Sequence, residues 1–174
     1  MLKKTCLAGL VAIASVLPAT ASANNFNYNF LEVRTALSPE SFGGEFSTFF
    51  TENSHFVGRA DSRFEGDWDL AGGIGFNGPI NQFADIYGQM LLHSIRGNGD
   101  EDHKTETNME INIGTRIWLT SQIEGHARIG RNDDNSVFIA GLRIHSTQQM
   151  VLNAEVRNAG VWGPQISMGV RFQY

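Results

Sequence analysis

The 174-residue sequence has a single cysteine, Cys6. It lies in an N-terminal stretch, "MLKKTCLAGLVAIASVLPATASA", laid out as an export signal. Lys3 and Lys4 make the positive start, Leu7 to Leu17 the apolar centre, and Ala21-Ser22-Ala23 a small-residue cleavage site. Residues 1–23 are therefore expected to be a cleaved Sec signal peptide, and 24–174 one exported domain. Cleavage after Ala23 removes the cysteine, which excludes disulfides, thiol nucleophiles and thiolate metal sites. Cys6 precedes the apolar centre, so it is not the lipid-modified cysteine of a lipoprotein.

Long apolar runs are absent too. The signal's centre is too short for a spanning helix, which needs roughly 20 residues, and no stretch after residue 23 is long enough either. That absence does not exclude a membrane, because barrel strands alternate and average out as weakly apolar. Positive charge is scarce: 13 Lys+Arg face 18 Asp+Glu, and the net charge of −5 becomes −7 once Lys3 and Lys4 are removed. An acidic chain without a basic patch argues against nucleic acid as a partner.

What the chain does have is a period of two, the mark of strands. In the last stretch Ile166, Met168, Val170, Phe172 and Tyr174 alternate with Gln165, Ser167, Gly169, Arg171 and Gln173. The same rule places Glu155 and Arg157 opposite Leu152 and Val156, and Arg143 opposite Leu142 and Ile144. It also sets Glu124 and Arg128 against Ile123 and Ile129, and Glu110 and Arg116 against Ile111 and Ile117. Upstream the alternation is looser, around 83–94 (with Asp85 on the polar face), 68–76, 55–64, Phe46–Phe50 and Phe30–Leu37. Ten strands result, or eight if the first two stay outside the wall. "NNFNYNF" breaks parity near Phe30 and Leu31, which predicts a bulge or a lead-in before the first strand.

Short turns at 51–54, 77–81, 120–122 and 146–149 alternate with longer polar loops at 37–41, 96–107, 131–135 and 158–164. Gly114-Thr115-Arg116, Gly141-Leu142-Arg143 and Gly169-Val170-Arg171 recur every 27 or 28 residues, one hairpin per repeat. The expectation is an all-β fold: a closed antiparallel up-and-down transmembrane β-barrel, since hydrocarbon requires every backbone group to be paired. The apolar face then meets lipid, with Trp68, Phe76, Phe138, Phe172 and Tyr174 near strand ends as an interfacial girdle. The polar face fills a narrow lumen. There Arg116, Arg128, Arg143, Arg157 and Arg171 are expected to pair with Asp85, Glu110, Glu124 and Glu155, and the glycines to make room for them.

The signal, the Gly-x-Arg hairpin repeats and the "GVRFQY" ending resemble the small, porin-like outer-membrane β-barrel proteins of Gram-negative bacteria. The resemblance implies an outer-membrane location among lipid and lipopolysaccharide. It also implies biogenesis by periplasmic chaperones and the barrel-assembly machinery, which reads a C-terminal signal carried here by Val170, Phe172 and Tyr174. Members serve as adhesins, serum-resistance factors, stabilisers, narrow pores or lipid A-modifying enzymes, so the fold does not select a role. The expected role is structural or surface-interacting, with outer loops (96–107 above all) that touch host or cell-surface ligands. The alternative is a narrow solute channel.

Chemistry is thinly supported. Lipid A deacylases of this architecture use a His-x-Ser with an acidic partner; His145-Ser146 is adjacent instead, and "NAG" at 158–160 follows Val156-Arg157 where the His and Ser belong. His103 near Asp100 and Asp102 imitates a protease's His-Asp pair, on what reads as a solvated acidic tip. The five histidines have no short-range ligand spacing, and "GDEDHKTE" lacks the pattern of a calcium loop. No enzyme activity, cofactor or metal is expected.

Overall fold

A computed structural model describes residues 26–64, 66–97 and 105–174. The signal peptide with Ala21 and Ala23, and the acidic tip with Asp100, Asp102 and His103, lie outside them.

Ten antiparallel strands form one closed barrel. They are β1 (Phe30–Leu37), β2 (Ser41–Thr51), β3 (Ser54–Arg63), β4 (Trp68–Asn81), β5 (Ala84–Arg96), β6 (Thr105–Trp118), β7 (Ile123–Asn132), β8 (Asn135–His145), β9 (Met150–Asn158) and β10 (Pro164–Gln173). Each pairs with its sequence neighbours, and β1 closes on β10 from Phe30↔Gln173 to Leu37↔Ile166. Closure leaves no unpaired sheet edge, the condition for a sheet to stand in hydrocarbon.

The distribution of residues is inverted relative to a water-soluble sheet protein. Among the described residues 31 polar or charged side chains are buried, against 12 apolar ones. Large apolar side chains are exposed on all ten strands, from Val33 and Phe42 through Met90, Ile111 and Leu142 to Met168 and Phe172. In water an apolar surface encircling the molecule would drive aggregation. In lipid it is the face that the solvent prefers.

Several boundaries differ from the sequence expectation. β2 starts at Ser41 rather than Phe46; Gly43 and Gly44 hide the alternation there, and with it the inward-facing Glu45. "NGPIN" is the end of β4, not a turn: the strand bulges between Pro79 and Asn81, and the turn is Gln82-Phe83. "RNDDN" is mostly strand, with only Asp133 and Asp134 between β7 and β8. A further connection at 64–67, between β3 and β4, joins the same rim as the longer loops.

Two of the glycines make room for rings rather than for arginines. A side chain at Gly75 would collide with the His55 imidazole, and one at Gly114 with the Tyr87 ring. Both glycines leave the space against the wall that these two rings occupy.

Candidate functional site

The lumen is the only part of the described structure where charged side chains converge in number. Three groups of contacts fill it.

At the lower rim, where β1 begins and β10 ends, Glu124 is fully buried and accepts from three residues. Arg116 Nε and Nη2 reach its two oxygens at 2.8 and 2.9 Å, Arg143 Nη1 lies at 2.7 Å and His145 Nε2 at 3.2 Å. Antiparallel register makes this geometry: Glu124 on β7 sits directly across from Arg143 on β8. His145 also packs against Trp118, the rings tilted by 49° with centroids 4.5 Å apart. Its Nε2 is thus engaged by Glu124.

At mid-height Arg171 grips Glu32 across the seam, with Nε and Nη2 both at 2.8 Å. Arg34 donates to Asp61 at 2.6 Å. Glu155 accepts from His126, Asn153 and Ser167, each at 3.1 Å. Higher up, Arg59 bridges Glu45 at 3.0 Å and Glu110 at 3.1 Å. His93 stands between Asp69 and Glu110, its Nδ1 2.9 Å from one and its Nε2 3.1 Å from the other. Asn112 also donates to Glu110.

Of the nine lumen residues named from sequence, Arg116, Glu124, Arg143, Glu110 and Arg171 each have an oppositely charged partner within hydrogen-bond distance, while Glu155 meets His126, Asn153 and Ser167 and no arginine. Three behave otherwise. Asp85 has no arginine within salt-bridge distance and instead accepts from the Tyr28 hydroxyl at 2.7 Å. Arg128 bonds the neutral Gln89 at 3.0 Å, and Arg157 comes only within 3.7 Å of Asp61. Glu32, Arg34, Glu45, Arg59, Asp61, Asp69 and His93 take part without having been named. Only the closed barrel shows which residues meet across the lumen.

The segment before β1 is a lead-in, and it enters the barrel. Phe26 and Tyr28 are 1% and 3% exposed. Phe26 stacks on Trp118 at 5.8 Å, and Tyr28 on His55 at 4.6 Å. The Arg116 guanidinium lies over both rings, 5.0 Å from one centroid and 4.8 Å from the other, a cation–π contact with each. Arg116 also donates to the Asn27 carbonyl at 2.9 Å. The lead-in is held to the end of the chain as well: Asn27 Nδ2 donates to the Tyr174 carbonyl oxygen, and the Tyr174 amide to the Asn29 carbonyl, both at 3.3 Å. Tyr174 itself donates its hydroxyl to the Ser47 carbonyl at 3.2 Å. Burial raises its phenol above the ordinary value, which keeps it a donor.

No protein-family model matches the chain, and no curated protein matches it in sequence. Solved structures do match in shape. The KdgM porin aligns with a TM-score of 0.55 at 10% identity, over 83% of this chain and 99% of its own, both alone and in complex with disordered oligogalacturonate. This chain has the fold of an outer-membrane β-barrel. The NanC porin aligns at 0.47 and 8% identity over 83% and 98% of the two chains. Ail of Yersinia pestis aligns at 0.44 and 12% over 84% and 100%. What sets this barrel's own chemistry is its interior.

Proposed function

We propose that this protein is an outer-membrane barrel with a closed lumen, which stabilises the envelope or acts at its surface through the loops of its upper rim. The observation that carries this is the filling of the lumen. The lead-in and the Glu124 cluster occupy the lower end, further ion pairs occupy the middle and upper levels, and the cavity between them is about 30 Å³. That is room for a water or two rather than for a solute. With the lower rim facing the periplasm, the upper loops face outward.

The alternative is a narrow channel, supported by the likeness of fold to KdgM, a porin by name. A planar-bilayer recording of the refolded protein separates the two. The closed lumen predicts no stable conductance steps, with or without added oligogalacturonate. Nanosiemens-scale steps would sink it.

Val170, Phe172 and Tyr174 are proposed as the C-terminal assembly signal, supported by the outward face of β10 that Val170 and Phe172 share and by the aromatic Tyr174 just beyond it. Tyr174→Asp is expected to reduce the heat-modifiable folded form in outer-membrane fractions severalfold, and Tyr174→Ala less. Normal assembly of both variants would remove these residues from that role.

A further inference from the structure

Eight carboxylates and seven arginines are buried on the ten strands, so the arginines leave one negative charge over. Three of the carboxylates have no arginine within hydrogen-bond distance. Asp85 accepts from the Tyr28 hydroxyl, and Glu155 from Asn153, Ser167 and His126. Asp69 has neither an arginine nor a neutral donor. Among the described residues its one side-chain partner is His93.

His93 is 2% exposed, and both of its ring nitrogens meet carboxylates. Nδ1 lies 2.9 and 3.0 Å from the two oxygens of Asp69 on β4, and Nε2 lies 3.1 Å from Glu110 on β6. A neutral imidazole has one N–H donor and one lone pair. In either tautomer the lone pair would face a carboxylate oxygen at hydrogen-bond distance with no proton between them. An imidazolium donates to both. Among the described histidines His93 alone is placed so. His55 and His126 each leave one ring nitrogen without a partner, and His145 meets Glu124 through Nε2.

The other charges around the ring are already matched. From β3, Arg59 holds Glu110 at 3.1 Å and Glu45 of β2 at 3.0 Å. Asp61, opposite Asp69 in the register, is held by Arg34 of β1 at 2.6 Å. From β7, Arg128 turns to Gln89 of β5. That leaves Asp69 to His93, which stands on β5 and ties β4 to β6 from inside. The tie sits where the wall changes height. The rungs between β6 and β7 end at Glu110↔Asn132, while β6 runs on to Thr105 paired with β5 alone among the described residues.

We propose that His93 is an imidazolium in the folded barrel at neutral pH, a pH-sensitive latch between β4 and β6 that offsets the remaining negative charge. The latch lies within one sector of the wall and does not depend on whether the lumen conducts. It links folding to pH. An ordinary histidine loses its proton at about pH 6.5, so above that value the unfolded chain has released a proton that the folded barrel keeps. The latch's contribution is full below that value and is lost as pH rises, until the folded ring gives up its proton too. The neutral ring then sets a lone pair against Asp69 or Glu110, and the projecting end of the β5–β6 hairpin loosens.

The test uses the mature barrel refolded in detergent micelles with isotope-labelled histidine. At about pH 8, where an ordinary histidine is neutral, magnetic resonance of the ring nitrogens should show a ring with both nitrogens protonated. His93→Gln should remove that signal. Asp69→Asn keeps the shape but takes away one carboxylate, so it should turn the same ring neutral, and it serves where His93→Gln does not fold. In urea with lipid vesicles the wild-type unfolding equilibrium constant should rise about tenfold or more from about pH 6 to about pH 9. His93→Gln should lose most of that rise. No doubly protonated ring at about pH 8, a signal untouched by Asp69→Asn, or a rise as steep in His93→Gln as in the wild type would overturn the latch.

Discussion

Glu124→Ala is expected to lower the folding stability by about 3–5 kcal/mol, the usual cost of removing one partner from a buried charge cluster. The carboxylate is fully buried and receives four hydrogen bonds from Arg116, Arg143 and His145. Without it two buried guanidinium groups are left with no carboxylate between them, and neither can lose its proton. Glu124→Gln keeps the shape and one acceptor, and should fall between the variant and the wild type. Equilibrium unfolding in urea with lipid vesicles, followed by heat-modifiable mobility, measures both. A Glu124→Ala barrel within about 0.5 kcal/mol of wild type, the range of an ordinary surface substitution, would show that the cluster does not hold the lower rim.

The second large effect concerns the lead-in. Phe26→Ala with Tyr28→Ala removes two buried aromatic rings, both cation–π contacts of Arg116 and the partner of Asp85. Single aromatic truncations in cores cost about 3–5 kcal/mol. Here the total should be less, because the segment can leave the lumen while the barrel's ladder stays whole. The double variant is therefore expected to remain a heat-modifiable barrel whose N-terminal residues become open to added protease, whereas the wild type resists trimming there. It should still not conduct, because the pairs around Arg59, Asp61 and Glu110 close the lumen above. Conductance appearing in this variant would mean that the lead-in alone is the seal.

The wall of the barrel was legible in the sequence, its contents only partly. β1 was read from Phe30 to Leu37 as it stands, because Val33, Thr35 and Leu37 alternate with Glu32, Arg34 and Ala36 without interruption. β6 to β10 were legible for the same reason. Gly43-Gly44 erased the alternation around Glu45, and the strand was read short. Phe26, Tyr28 and Phe30 posed a harder problem. They alternate with asparagines as lipid-facing residues would, yet all three point inward. A period of two reports that neighbours face opposite ways, not which face is wet. Only the parity break after Phe30 marked the change. The partners of the lumen charges were illegible on other grounds. Arg59 meets Glu110 three strands away, and Arg171 meets Glu32 139 positions earlier; no local pattern carries a distance across a closed cylinder. The glycines were expected beside arginines, and at 75 and 114 they accommodate rings instead.

The seam between β1 and β10 has a consequence for the order of folding. Its rungs join residues separated by most of the chain, from Phe30 with Gln173 to Leu37 with Ile166. Every other hairpin in the barrel is a local contact that can form early and at small loop-closure cost. The seam cannot form until the last strand has emerged, so closure is the final and slowest pairing, and until then β1 and β10 are both exposed edges able to capture strands of other molecules. A frameshift or stop codon that removed only β10 would spare nine-tenths of the wall and still leave a curled sheet with two adhesive margins, a species for proteolysis rather than for the membrane.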